Sequence, residues 1–190
     1  MIPIIILITV VSSPTAILSP PELTIPISTG TPGPSATIVE TLFYDDGTVY
    51  SAWCWYYEGN GWGYYFTTNV GRFIEGMGIY IYEGWPVPGG DRCIIRFTDW
   101  ENEMPGKTYL EEEITVTPGE WNWYTLPTPL WDYDGKFCVF YIQVGNYPNC
   151  CGLAEDSAQE NPAPDWWTDG SSYGRGFPRN DFLIRVIVST

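Results

Sequence analysis

The sequence contains no histidine in its 190 residues. Histidine is the commonest general base and the commonest metal ligand in proteins, so this absence excludes every Ser-His and Cys-His catalytic mechanism. A pair of carboxylates, as in glycoside hydrolysis, is the catalytic option that remains. The available carboxylates are Asp45/Asp46, Glu111 to Glu113 and Glu155/Asp156. In TYLEEEITV, strand alternation places Glu111 and Glu113 on one face and Glu112 on the other, and a solvated face or protection of a strand edge explains these better. We therefore predict that the chain is not an enzyme.

Basic residues are also scarce, with 8 Lys plus Arg against 23 Asp plus Glu and a formal net charge of -15. Such a surface repels phosphate groups, which excludes nucleic acid as an expected partner and disfavours anionic membranes. The sequence also lacks a run of 18 or more apolar residues, so no membrane span is predicted in the mature form. The acidic excess favours solubility first and cation binding second.

The five cysteines lack the CxxC and zinc-knuckle spacings that indicate metal binding or redox motifs. They are Cys54, Cys93, Cys138, Cys150 and Cys151. One interpretation is buried free thiols that behave as small apolar residues. In an exported chain we favour two disulfides with one cysteine left over. The adjacent Cys150 and Cys151 are then each expected to find a partner elsewhere, and the connectivity stays open.

Aromatic residues are abundant, with 10 Trp, 14 Tyr and 8 Phe, and so are Gly and Pro. Short segments rich in aromatic and β-branched residues alternate with turn signals such as Asp46-Gly47 and Asp134-Gly135. This pattern predicts an all-β, antiparallel sandwich over residues 38–190, with long loops in 145–179. The predicted strands are 37–45, 49–57, 61–68, 73–82, 92–100, 108–117, 121–127, 136–145 and 181–189.

Residues 1–37 differ from the rest, because an apolar run (1–11) precedes a linker rich in Pro, Ser and Thr. The apolar run resembles the core of a secretion signal, but it lacks a basic residue before it and a good cleavage site after it. Its β-branched residues favour a strand instead. The segment ELTIPIS also alternates with a period of two. We predict strand donation to a neighbouring copy through alternate apolar positions, namely Ile4, Ile6, Ile8, Leu23, Ile25 and Ile27.

Several short motifs of the body recur in the jelly-roll modules of large exported surface proteins of bacteria and archaea. They are Tyr44-Asp45-Asp46-Gly47, Pro105-Gly106, Gly119-Glu120-Trp121 and the closing Asp181-Phe182-Leu183-Ile184-Arg185. The chain resembles those modules over about residues 40–190. The resemblance implies an extracellular β-sandwich of jelly-roll type with an accessory or adhesive role, and it implies no catalytic mechanism.

Two ligand sites are predicted. Exposed tryptophan rings stack on sugar rings, and acidic side chains accept hydrogen bonds from the sugar hydroxyls. The candidates are Trp121 and Trp123, which are two residues apart on a strand, and Trp166 and Trp167, which lie in an apparent loop beside Asp165. A structural Ca²⁺ near the Asp-Asp-Gly turn is the second site, with Asp45, Asp46 and Asp156 as ligands. Core packing for the tryptophans and an ordinary turn for the aspartates are the alternatives.

Together these features lead to two functional hypotheses. The first is an extracellular structural protein, a subunit of a filament or surface assembly joined head to tail by N-terminal strand donation. The second is a secreted carbohydrate-binding or adhesive module that uses exposed Trp and Tyr. The chain lacks an Asn-x-Ser/Thr sequon, so glycans of its own would be O-linked.

Overall fold

The computed structural model describes residues 37–68, 72–132, 134–157, 165–176 and 181–190, and these residues contain strands and no helix. The strands are β1 (Val39–Leu42), β2 (Ser51–Trp53), β3 (Gly61–Thr67), β4 (Arg72–Tyr80), β5 (Arg92–Glu101), β6 (Met104–Thr115), β7 (Trp121–Asp132), β8 (Lys136–Gln143), β9 (Leu153–Glu155), β10 (Asp165–Thr168), β11 (Tyr173–Arg175) and β12 (Ile184–Ser189). The described part therefore holds no helix long and apolar enough to span a lipid bilayer.

The strands form two main antiparallel sheets and one small one. The four-stranded sheet has the order β1-β12-β4-β7, and the six-stranded sheet has the order β11-β10-β3-β8-β5-β6. Strands β2 and β9 pair separately, with Trp53 opposite Leu153. The chain passes repeatedly between the two large sheets, because β4, β7 and β12 belong to one and β3, β5 and β8 to the other.

One apolar core lies between the two large sheets. Successive side chains of a strand point to opposite faces, so Phe137, Val139 and Tyr141 of β8 enter this core together. Met77 of β4 and Val186 of β12 enter it from the four-stranded sheet. The two sheets thus pack face to face around a shared core, which is the architecture of a β-sandwich.

A second, smaller apolar cluster covers the outer face of the six-stranded sheet. The alternate residues of β8 supply its floor, which consists of Cys138, Phe140 and Ile142. Trp166 of β10 is buried above them, and Trp100 and Tyr173 pack against the cluster. The six-stranded sheet is therefore apolar on both faces at β8, which explains why the sequence of β8 is a continuous hydrophobic run.

Each of the nine predicted segments overlaps a strand, although β6 begins four residues before its segment and β7 ends five residues after its segment. The prediction of long loops in 145–179 is wrong in part, because β9, β10 and β11 lie there. Trp166 and Trp167 belong to β10 rather than to a loop. The strand-donation residues of the N-terminal segment lie outside the described residues, so donation stays a prediction.

Candidate functional site

A group of aromatic residues lies on the outer face of the four-stranded sheet. Gly78 of β4 is paired with Trp123 on one side and with Arg185 on the other, and Tyr80 is paired with Trp121. Directly paired residues of antiparallel strands point to the same face of a sheet. Tyr80, Trp121, Trp123 and Arg185 therefore form one surface, which we call the aromatic platform.

Contacts between neighbouring rings hold the platform in place. The ring centroids of Trp121 and Trp123 are 5.6 Å apart with an interplanar angle of 25°. Both rings therefore lie on the same side of β7, as their spacing of two residues on a strand requires. Tyr80 meets Trp121 edge to face at 5.8 Å, and the Arg185 guanidinium carbon lies 4.4 Å from the Trp121 ring centroid. Trp121 is thus fixed on two sides, whereas Trp123 keeps 49% of its surface exposed.

The position of the Trp123 ring depends on a missing side chain beneath it. A Cβ atom added at Gly78 would lie 2.7 Å from carbons of the Trp123 ring. Real Cβ atoms do not approach other heavy atoms so closely, so any larger residue at position 78 would displace the ring. The glycine thus lets the indole lie close against the backbone of the sheet.

Arg185 is held between a buried carboxylate and aromatic rings. Its Nη2 donates to Asp45 Oδ1 at 2.6 Å, and its guanidinium also lies 4.9 Å from the Phe43 ring centroid. Burial raises the pKa of Asp45, and the hydrogen bond and positive charge of Arg185 oppose that rise. The Asp45 carboxylate thus holds the positive charge of Arg185 over the Trp121 ring.

Two exposed carboxylates lie near the edge of the platform. Burial raises the pKa of Tyr80, and the negative charges of Glu83 and Glu120 raise it further. The Tyr80 hydroxyl donates to the carbonyl of Gly119 at 2.6 Å, which positions the ring beside the turn that carries Glu120. The platform thus combines apolar ring surface, one cation and two hydrogen-bond acceptors.

The three predicted calcium ligands lie close together but have other partners. Asp45 binds Arg185, as described above. The Asp156 carboxylate accepts hydrogen bonds from the backbone N–H groups of Asp46 at 2.8 Å and of Asp181 at 3.1 Å. Across the described segments, the acidic and sulfur side chains form no group of three or more placed to hold a metal ion. A calcium site at these residues therefore stays a prediction, without support from this geometry.

The other predicted sugar-binding pair, Trp166 and Trp167, faces different surroundings. Trp166 is 4% exposed, and its ring packs against Trp100 at 5.4 Å and under Arg175 at 4.6 Å. Trp167 is half-buried and packs against the main core. The four predicted tryptophans therefore lie in two pairs on opposite sheets. Trp123 is exposed, Trp121 and Trp167 are half-buried, and Trp166 is buried.

A buried carboxyl group lies at the start of β10, beside Trp166 and Trp167. Burial raises the pKa of Asp165 to about 8, and the charges of Asp181 and Glu155 contribute to the rise. Among the described residues, none donates a hydrogen bond to its Oδ1 atom. Asp165 is therefore protonated over much of the neutral pH range in the folded protein.

The cysteines are all buried and all free thiols. The two predicted disulfides thus stay a prediction.

Sequence reasoning missed three members of the platform region, Gly78, Tyr80 and Arg185, which lie on strands other than that of Trp121. The only signal for Gly78 is its place in the strand segment EGMGIY, where glycine is unfavourable and often marks a close approach of another group.

Comparison with known proteins gives distant similarities. No family model matches the chain. Bacillopeptidase F of Bacillus subtilis (strain 168) is 27% identical over 156 residues, which is 77% of this chain and 11% of that protein. The chain thus spans about a tenth of the relative's length. Among solved structures, the cysteine protease and lectin-like domains of Cwp84, a surface layer associated protein of Clostridium difficile, match 70% of this chain and 32% of that one. The TM-score is 0.43 and the identity 13%.

Proposed function

We propose that the chain is an extracellular or cell-surface β-sandwich module, of jelly-roll type, that binds carbohydrate through the aromatic platform. The observation that carries this proposal is the exposed Trp123 ring beside Trp121 on an open sheet face. Sugar rings present C–H groups on one face and hydroxyls at the rim. A flat indole with carboxylates at its edge matches both parts of that surface.

The charge of the chain narrows the class of sugar. A net charge of -15 opposes the approach of uronic acids, sulfated glycans and sialic acids. Neutral polysaccharides carry no such penalty, and Glu83 and Glu120 accept hydrogen bonds from their hydroxyls. The extracellular setting follows from the resemblance of the body to modules of exported surface proteins.

The test is a glycan array probed with the full chain, followed by isothermal titration with the best neutral oligosaccharide. We expect Trp123→Ala to weaken binding at least tenfold, because truncation of a central aromatic contact costs about 2 kcal/mol or more. Trp131→Ala is the matched control. Trp131 is 51% exposed on the same sheet and contacts Phe73 rather than the platform.

Equal loss of affinity in both variants would argue that the effect comes from general destabilisation. Binding that survives Trp123→Ala unchanged would contradict the proposal directly. An array on which only acidic glycans bind would contradict the charge argument while leaving the platform itself open to test.

A second candidate function is the filament subunit joined by strand donation. One observation favours it: β1, which comes directly after the N-terminal segment, is an edge strand of the four-stranded sheet. Strand donation from this position would require the preceding segment to pair with the edge of another copy. Among the described strands, β6 and β7 are edge strands of 12 residues each, long enough to accept a donated strand.

Electron microscopy and light scattering of the full chain test this second candidate. Deletion of residues 1–28 is expected to abolish polymers. Ile25→Asp, on the apolar face of ELTIPIS, is expected to do the same, whereas Thr24→Asp on the other face is the control. Filaments of normal length after the deletion would exclude strand donation.

A further inference from the structure

Four of the five cysteines converge on one place in the fold. The hydroxyl of the buried Tyr141 donates to the carbonyl of Cys151 at 2.8 Å. The pKa of Tyr141 is raised mainly by burial and further by Cys151, Cys93, Cys150 and Cys54, so all four thiols lie near this hydroxyl. Cys138 lies apart, in the apolar cluster on the outer face of the six-stranded sheet.

Strand pairing explains how Cys54 reaches this place. In the small sheet, Trp53 is opposite Leu153, and the chain runs antiparallel. Cys54 follows Trp53, while Cys150 and Cys151 come shortly before Leu153. Continuation of the register beyond the last pair would place Cys54 opposite Gly152, the residue that follows the Cys150–Cys151 dipeptide. The thiols of Cys54 and Cys150 hydrogen-bond to each other, which lowers the pKa of Cys54 and raises that of Cys150.

The second thiol of the dipeptide faces the start of β5. Gly90 N–H donates to the carbonyl of Cys150 at 2.9 Å, which ties the dipeptide to this segment. The Cys151 Sγ atom contacts the carbonyl oxygens of Gly90 at 3.2 Å and Arg92 at 3.4 Å. Cys93 is the next residue along β5, and Cys93 and Cys151 belong to the same core cluster. The adjacent cysteines therefore point to two different strands.

We propose that the protein carries two disulfides, Cys54–Cys150 and Cys93–Cys151, and that Cys138 stays a free thiol. The dipeptide then fastens the loop before β9 both to the end of β2 and to the start of β5. A tetrathiolate metal site is the alternative use of four converging cysteines. It is disfavoured because no set of three or more sulfur or carboxylate side chains in the described ranges is arranged for a metal.

The oxidation needs an oxidant, which is a small disulfide such as oxidised glutathione. The Cys54 thiolate attacks one sulfur of the oxidant and releases one thiolate, which forms a mixed disulfide. The Cys150 thiolate then attacks Cys54 Sγ and releases the second thiolate. Each bridge thus consumes one oxidant, and the two protons of the cysteine thiols pass to the two released thiolates. Cys93 and Cys151 react in the same way. The dipeptide lines a surface cavity of about 460 Å³, through which a small oxidant can approach.

The test counts and maps thiols in the full chain after treatment with oxidised glutathione. Intact-mass analysis should show the loss of four hydrogen atoms, and alkylation in denaturant should label one thiol. Cys150→Ser is expected to keep the Cys93–Cys151 bridge and free Cys54. Cys151→Ser is expected to keep Cys54–Cys150 and free Cys93. Cys138→Ser is the matched control, which keeps both bridges and leaves no thiol to label.

Five labelled thiols after oxidation would overturn the proposal, and so would a bridge that includes Cys138. The exchanged pairing is also distinguishable, because Cys150→Ser would then free Cys93 rather than Cys54. Stoichiometric zinc in the purified protein would replace the proposal with a metal site. If a single variant does not accumulate, partial reduction and stepwise alkylation of the wild-type chain determine the disulfide connectivity instead.

Discussion

Trp123 on the outer face of the four-stranded sheet is 49% exposed, whereas Trp166 on the outer face of the six-stranded sheet is 4% exposed. The two faces carry similar residues but differ in what lies beneath them. Trp166 and its neighbours cover the apolar floor formed by Cys138, Phe140 and Ile142. Trp123 lies over Gly78. A ring that covers apolar side chains contributes to folding, while a ring that lies on bare backbone is available to a ligand.

Two buried carboxyl groups, Asp45 and Asp165, differ in whether a cation accompanies them. On the four-stranded side, the buried Asp45 is paired with Arg185 at 2.6 Å. On the six-stranded side, Asp165 takes part in none of the ion pairs seen among the described residues. A buried carboxyl without a cationic partner is most stable when it is neutral. Asp165, which points to the inner face of the six-stranded sheet like its paired Tyr64, therefore holds a proton, whereas Asp45 holds an ion pair beside the platform.

The largest expected effect on stability comes from truncation of Phe140, which belongs to the apolar cluster on the outer face of the six-stranded sheet. Phe140 is fully buried, and its ring contacts Tyr173 at 5.2 Å. We expect Phe140→Ala to lower the free energy of unfolding by about 3–5 kcal/mol, through lost burial and the cavity left behind. Urea denaturation followed by tryptophan fluorescence measures it. Phe73→Ala, on the open face, is the control and should cost about 1 kcal/mol or less. Similar costs at both positions would break the comparison.

A pH titration of stability tests the unpaired Asp165. Its folded pKa of about 8 lies above the usual value of 3.8, so between these values the folded chain keeps a proton that the unfolded chain has released. The unfolded state then binds fewer protons, and the free energy of unfolding should fall as the pH rises from 4 to 8, by up to about 1.4 kcal/mol per pH unit.

Two variants isolate this contribution. Asp165→Asn keeps the shape but cannot ionise, so its stability should depend less on pH over the same window. Asp169→Asn is the control. The hydrogen bonds from Ser171 and Ser172 lower the pKa of the exposed Asp169 to about 2, so its charge does not change between pH 4 and 8. A slope that persists in Asp165→Asn would assign the effect to other carboxyls.

Substitution of the glycine beneath the open face should have a smaller effect. Gly78→Ala places a Cβ 2.7 Å from the Trp123 ring, and the ring must tilt away. Because this ring is at the surface and can move, we expect a loss of about 1 kcal/mol, at the low end for overpacking. The affinity for glycans should fall together with the free energy of unfolding. In the Trp123→Ala background the same substitution should cost close to nothing, and a double-mutant cycle measures that coupling.

The smallest effect on stability is expected for the exposed ring itself. Trp123→Ala should change the free energy of unfolding by about 1 kcal/mol or less, whereas Trp166→Ala should cost about 3–5 kcal/mol. Thermal unfolding of the two variants side by side provides the measurement. A large loss of stability for Trp123→Ala would assign this tryptophan to the fold and remove the basis for the platform as a binding surface.

Much of the fold was predictable because strand alternation is local. In TYLEEEITV, the alternation predicted that Glu111 and Glu113 share a face, and they pair with Arg96 and Arg92 on the neighbouring strand. The shorter strands β9, β10 and β11 were missed, because three or four residues are too few to show a period. Trp166-Trp167 next to Pro and Asp therefore indicated a loop, although pairing with β3 makes it a strand.

The platform was predictable only in part. Trp121 and Trp123 lie on one strand, so their shared direction follows from the period of two. Arg185 and Tyr80 join them through pairing across β4, which no local pattern of the sequence encodes. The same limit applied to the cysteines. Their number and the separate partners of the adjacent pair could be argued from sequence, but the convergence on Tyr141 could not.

The sequence by itself determined the absence of histidine chemistry, the acidic surface, the β class and the positions of the main strands, because each follows from composition or from contacts between near neighbours. Only the tertiary structure decided which tryptophans face solvent and which thiols meet. Exposure depends on what distant strands place above a residue, and thiol contact depends on the register of strands about a hundred residues apart in the chain. Both are properties of the packed sandwich.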